Sequence, residues 1–265
     1  MYDRFNRRIH YLRLSVTDLC NLRCQYCMPA DGVELLSHEE ILTFEEMVDV
    51  VHEAVDLGID KVRLTGGEPL VRRGIIDLVR MLRQIPGIKD FAMTTNGTLL
   101  PEYAESLKVA GIQRLNISLD TLDPDRYREI TRIGDLKTVL DGIEAALAVG
   151  FEPVKLNCVI QASSEEPDAR AVAAFGKARG LQVRFIRQMD TDSGQFWPVQ
   201  GGQGGHCKSC NRLRVSSDGK VYPCLFSDRV FDVRELGIRK ALCQAVEHKP
   251  ESGQTSHNRF YHLGG

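Results

Sequence analysis

The chain has 265 residues, 43% hydrophobic and 26% charged, with 34 basic against 36 acidic side chains and a net charge of −2. Such a balance argues against nucleic acid as a main partner, which asks for a broad basic face, and no stretch approaches the roughly 20 apolar residues that cross a bilayer. The N-terminus, MYDRFNRRIHYLRLSV, lacks the charged-then-apolar layout of an export signal. A reducing, cytoplasmic compartment is therefore expected, in which eight cysteines read as metal or redox chemistry before disulfides.

In chain order, six short apolar or β-branched runs predict strands at 11–17, 61–66, 91–96, 114–120, 153–160 and 183–189. Helical patterns lie between them. The stretch TFEEMVDVVHEAVDLG places Thr43 and Glu46 as a capping box and Gly58 as a stop. IIDLVRMLRQI, YAESLKVAG, LKTVLDGIEAALAVG and DARAVAAFGKARG repeat the helical period, two of them ending at Gly111 and Gly150. This β-α alternation predicts an α/β fold with a parallel sheet and helices outside. After residue 190 the alternation stops. VRELGIRKALCQAVEHK predicts one late helix with Cys243 on its apolar side.

Right-handed crossovers bring all strand C-termini to one rim, where α/β barrels hold their active sites. A three-cysteine loop follows the first strand, GGEP (66–69) the second and TTNG (94–97) the third. SLD (118–120) closes the fourth, Asn157 sits within the fifth, and Gln188 and Met189 close the sixth. The unusual residues of this half all fall on the same rim.

The three-cysteine loop, TDLCNLRCQYCMPADG, sets Cys20, Cys24 and Cys27 within eight positions. Structural zinc takes four ligands and a disulfide two, so three thiolates fit neither. They do fit a four-iron, four-sulfur cube, holding three irons and leaving the fourth open to a small molecule. Cys207, Cys210 and Cys224 form a second trio. Cys243 could close that trio into a four-thiolate site for zinc or a fully ligated cluster; otherwise Cys158 and Cys243 read as small buried apolar residues.

Cys-x3-Cys-x2-Cys with Tyr26 inside it and GGEP downstream resembles the radical S-adenosylmethionine superfamily. Further stretches in order (KVRLTGGEPLVR, LNISLDTL, VKLN, RFI, CKSCNRLRVSSDGKVYPCLF and a final GG) are similar to the GTP 3′,8-cyclase family of molybdenum cofactor biosynthesis. The resemblance implies a partial (β/α)6 barrel over residues 1–190 and a C-terminal extension over 191–265 carrying a second iron–sulfur cluster. It implies two [4Fe–4S] clusters, on Cys20, Cys24 and Cys27 and on Cys207, Cys210 and Cys224, the second with an open iron that meets the guanine. Tyr26, Gly66, Gly67, Glu68, Ser118 and Met189 would bind S-adenosylmethionine, with Glu68 near its amino group. Arg13, Arg63, Thr94, Lys155, Arg212 and Arg214 would bind GTP; Arg212, Arg214 and the terminal Gly264 and Gly265 would serve the reaction itself. In the family a deoxyadenosyl radical takes the ribose 3′ hydrogen and the new radical attacks C8. An electron donor such as a flavodoxin or ferredoxin is implied, and neither nucleic acid nor membrane.

The chain departs from the family in one place. Only twenty residues (187–206) separate Ile186 from Cys207, where the family carries several dozen, and Arg187 stands where an acidic residue is usual. A changed small-molecule or peptide substrate, or a non-catalytic iron–sulfur or zinc protein, are the alternatives this leaves open.

Overall fold

In the computed structural model, which describes residues 1–263, six parallel strands lie side by side in chain order. They are β1 (Tyr11–Ser15), β2 (Lys61–Thr65), β3 (Asp90–Thr95), β4 (Arg114–Ser118), β5 (Val154–Ile160) and β6 (Gln182–Arg187). All six fall on the predicted runs. The helices between them are α1 (Phe44–Asp56), α2 (Ile75–Arg83), α3 (Leu100–Ala110), α4 (Pro124–Thr131), α5 (Leu136–Ala148) and α6 (Pro167–Ala178). The Thr43–Glu46 capping box forms as expected, and Gly111 and Gly150 take the positive φ that ends α3 and follows α5. The short α4 was not anticipated: its eight residues bury only Tyr127 and Thr131 and show little apolar period.

Strand alternation explains the layers. Leu12 and Leu14, Val62 and Leu64, Phe91 and Met93, and Leu115 and Ile117 are fully buried and belong to the core. On β5 burial alternates residue by residue, with Val154, Leu156, Cys158 and Ile160 buried and Lys155, Asn157 and Val159 only partly so. The second set, continued on neighbouring strands by Arg13, Arg63, Thr94 and Asn116, makes the concave face. Polar side chains there have no core to join.

The sheet continues beyond β1. β7 (Arg212–Val215) pairs with β1 in parallel, and β8 (Lys220–Tyr222) and β9 (Phe231–Asp232) follow antiparallel. These three strands went unpredicted because each is four residues or shorter. The late helix is two, α7 (Val233–Leu236) and α8 (Ile238–Glu247), broken at Gly237 with φ 81° and ψ 142°. The buried stripe of α8 is Ala241, Leu242, Ala245 and Val246. Cys243 lies off that stripe and is exposed, contrary to the expectation that it faces the apolar side. Cys158 is buried as expected. A last turn, α9 (Phe260–Leu263), packs against β1. No helix among the described residues is long and apolar enough to cross a membrane.

Helix α5 rests on the turn that carries TTNG. A Cβ on Gly142 would stand 2.0 Å from the carbonyl oxygen of Gly97, a backbone atom that cannot step aside. Gly142→Ala is expected to destabilise the chain by about 1–3 kcal/mol, read as a lower urea midpoint by circular dichroism.

Candidate functional site

One cavity of about 390 Å³ occupies the concave face. Its two ends follow from topology. The first trio comes after β1, at the C-terminal rim. Cys210 comes just before β7, which runs parallel to β1, and Cys224 just after β8, which runs antiparallel to β7. Both therefore sit at the opposite end, where the amides of His10 and Tyr11 donate to the carbonyl of Asn211. All six cysteines line the one cavity. The trios are separated along the cavity by the length of β1, roughly 16 Å for five residues.

At the rim, Gly66 and Gly67 show why glycine is needed. A Cβ on Gly67 would lie 2.1 Å from the carbonyl oxygen of Leu19, and one on Gly66 2.7 Å from that of Thr17. The close approach these glycines make is thus to the cysteine loop, which they set in place through hydrogen bonds from Gly67 N to Thr17 O and Glu68 N to Leu19 O. Glu68 is buried and accepts from Thr95 Oγ1 at 2.7 Å, Asn96 N at 2.6 Å and Leu70 N at 3.1 Å. Burial outweighs those bonds and pushes its carboxyl up to about 7. Tyr26 donates to Asp120 Oδ2 at 2.7 Å, fixing the ring between Cys24 and Cys27. Ser118 and Met189 also line the cavity.

Burial pushes the thiols of Cys20, Cys24 and Cys27 up, that of Cys27 to about 12. A metal centre, which binds the thiolate, reverses that preference. All eight cysteines are free. Among the described residues no three His, Cys, Asp or Glu converge where a single ion would sit; a four-iron cube instead takes each thiolate on a different iron. At the far end Cys210 behaves differently. Burial raises its thiol, but the Lys249 ammonium and the Arg212 amide outweigh burial, and the group lies below its usual value. Cys243 is outside the cavity lining, so the four-thiolate closure is not formed.

Between the trios lies a band of cations. Arg13 on β1 is in register with Arg63 on β2 and with Arg214 on β7. Burial, and then Arg214, hold Arg13 well below its ordinary value; burial and Arg212 bring Arg214 to about 10. Arg63 and Arg212 stack over the ring of Tyr11. No carboxylate among the described residues pairs with Arg63, Arg184 or Arg212, and each has a buried Nε without a hydrogen-bond partner. Thr94 Oγ1 and both amide atoms of Asn116 are likewise buried and unpartnered. Orphaned polar atoms around a cavity call for a polar, anionic ligand.

Of the residues expected to hold a cluster, the cofactor or the substrate, Lys155 alone among the described ones does not reach the cavity lining; it shares the concave face with Asn157, one step deeper along β5. Gly264 and Gly265 lie outside the described residues, but the carbonyl of Leu263 just before them accepts from Arg214 Nη1 at 3.4 Å. Sequence reasoning missed Tyr11, Lys61, Asn116, Arg184 and Lys249, which line the cavity. The first four share the strand alternation of residues that were noticed. Lys249 follows a helix and carries no such signal.

A parallel α/β crescent with a three-cysteine loop after its first strand defines a radical enzyme, and the chain belongs to the radical SAM superfamily, whose family model matches residues 14–169. Membership implies a [4Fe–4S] cluster and S-adenosylmethionine. Within the superfamily it belongs to the family of proteins named GTP 3′,8-cyclase. It is 44% identical to that of Alkaliphilus oremlandii over 299 aligned residues, covering 95% of this chain and 93% of the relative. It is 42% identical to that of Geobacter sulfurreducens, with the same coverage, and 38% identical to that of Thermodesulfovibrio yellowstonii, covering 98% and 97%. Among solved structures it resembles Streptococcus suis SuiB bound to precursor peptide SuiA, with a TM-score of 0.69 at 15% identity, covering 93% of this chain and 66% of that one. It also resembles anSMEcpe with bound AdoMet, with a TM-score of 0.64 at 16% identity, covering 92% and 78%. Since 95% of 265 residues is about 252, at least about 47 of the 299 positions aligned with the Alkaliphilus protein have no counterpart here.

Gly67→Ala is expected to keep its secondary structure by circular dichroism, at a lower urea midpoint, while losing most of the visible absorbance of the first cluster after anaerobic reconstitution. Full absorbance in the Ala variant would separate the glycine from the placement of the cysteine loop.

Proposed function

We propose that this chain cyclises GTP by radical chemistry, forming the bond between ribose C3′ and guanine C8. One observation carries the reading: a single cavity has a cysteine trio at each end and arginines of neighbouring strands between them. Cys20, Cys24 and Cys27 would hold one four-iron cluster, and Cys207, Cys210 and Cys224 a second. When bound, the first cluster and S-adenosylmethionine supply reductive cleavage of a carbon–sulfur bond and, from it, a hydrogen-abstracting carbon radical.

The protein's own part is to bind, orient and exclude water. Gly66 and Gly67 fix the cysteine loop, while Glu68, Tyr26, Ser118 and Met189 surround the place where the cofactor would lie. Arg13, Arg63, Arg212 and Arg214, joined by Arg184, would offset the charge of a triphosphate in a setting with little water. Thr94 Oγ1 and the Asn116 amide offer hydrogen bonds that nothing else takes up.

The same radical chemistry on another small molecule is the second reading, and the short connection between β6 and β7 favours it. Anaerobic reconstitution followed by reduction with S-adenosylmethionine distinguishes the two. Deoxyadenosine that rises with added GTP, together with a cyclised nucleotide product, is the expected result; cleavage indifferent to GTP overturns the GTP reading. Cys24→Ala is expected to abolish cleavage under both readings, and about eight irons per chain are expected from two cubes.

Lys155 adds a pH signature. Burial, and then Arg184, Arg114, Lys61 and Arg63, push its ammonium down to about 8. A bound polyanion restores the charged form, so binding takes up protons, and affinity falls as pH rises through about 8. Calorimetry of GTP binding near that pH, in buffers of different ionisation enthalpy, is expected to show proton uptake that is lost in Lys155→Met.

A further inference from the structure

Lys249 lies just past the end of α8 and is 1% exposed, yet it lines the cavity beside the second trio. Its Nζ donates to the carbonyl of Arg212 at 2.7 Å and to that of Pro223. Arg212 comes two residues after Cys210, and Pro223 immediately precedes Cys224. One ammonium thus ties together the two segments that carry these cysteines. Arg7 does the same from outside for the third: Nη1 donates to Cys207 O at 2.8 Å and to Glu251 O at 2.9 Å, and Nη2 to Pro250 O at 2.6 Å. The turn at 249–251 is thereby fastened to all three cysteine segments.

The two cations differ in one respect. Arg7 is neutralised by Asp3, with Nε to Oδ2 at 2.6 Å. Lys249 has no carboxylate partner among the described residues. Two carbonyls solvate its charge without cancelling it, and a buried charge lacking a counter-ion is costly. The groups able to become anionic on the two segments it joins are the thiols of Cys210 and Cys224. A four-iron cube held by three thiolates carries net negative charge.

We propose that Lys249 is the counter-ion and positioning residue of the second trio's cluster: its ammonium holds the Cys210 and Cys224 segments together and balances the cluster's negative charge. Because a nearby fixed cation stabilises the added electron, Lys249 raises the midpoint at which that cluster is reduced. The proposal rests on the two-cluster reading above.

The test uses the full chain carrying Cys24→Ala, so that only the second trio can assemble a cluster, reconstituted anaerobically and titrated by electron paramagnetic resonance. Lys249→Met and Lys249→Gln are expected to lower the midpoint, while Lys249→Arg keeps it close to the parent. An unchanged midpoint in a Met or Gln variant that has assembled its cluster overturns the proposal. Absence of iron from the Cys24→Ala parent overturns the two-cluster reading itself, which separates the two failures. Should the Met variant not fold, the Gln variant is compared with Asp3→Asn combined with Arg7→Gln, which removes packing but no net charge. The proposal then requires a lower midpoint from Gln and an unmoved one from the neutral pair; equal shifts would make Lys249 a packing residue only.

Discussion

A buried cation on the concave face of a sheet needs an anion in front of it, and among the described residues the carboxylates that pair with cations of these strands lie at the margins. Lys61 and Arg114 share Asp90, and Arg8, His10 and Lys89 gather around Asp60. In the cavity the pattern changes: Arg63, Arg184 and Arg212 have no carboxylate among the described residues. The same strands that bury Val62 and Leu213, and pack Val183 against the core, turn these charges inward, because alternation leaves no other place for them. The fold tolerates the arrangement because its outer core is large and because aromatic Tyr11 shields part of the charge. Occupancy by an anionic ligand would relieve the rest.

Much of this was legible in the sequence because it rests on local rules. Periodicity located β1–β6, the Thr43–Glu46 pair announced the start of α1, and glycines marked the ends of α3 and α5. The charged residues at strand centres, Arg13 and Arg63, were conspicuous for the same reason. What escaped depends on contacts distant in sequence. β7 is four residues long and exists because β1 offers it an edge. Lys249 gains meaning only when Arg212 and Pro223 come within reach of its side chain. Gly66 and Gly67 were expected to admit the cofactor, while the contact that the structure reveals is with Thr17 and Leu19. Cys243 was assigned to the wrong side of its helix: the buried stripe is Ala241, Leu242, Ala245 and Val246, and Cys243 falls between its two pairs, on the exposed side.

The connection from β6 to β7 is short yet takes a defined course. Gln200 bridges to Phe185 in both directions, at 3.0 and 3.1 Å, and Arg187 lies over the ring of Trp197 at 3.9 Å. Arg212 Nη2 reaches the carbonyl of Gln203. Residues 196–206 thus form a wall between the open edge of β6 and the face of β7. Phe196 contributes a ring packed 4.7 Å from Phe226, close to Cys224. A wall built from backbone and a few rings is thin, so the cavity owes its shape mainly to the sheet.

The two cysteine trios are spaced by the rungs of one strand. β1 is hydrogen-bonded on both sides, to β2 and to β7, so the interval between its ends cannot stretch or fold as a hinge would. It works as a ruler. A molecule that touches both ends at once must match that interval, and a smaller one can occupy one end or the other but not both. Selection by length would then come from the backbone, ahead of any side chain that recognises a chemical group.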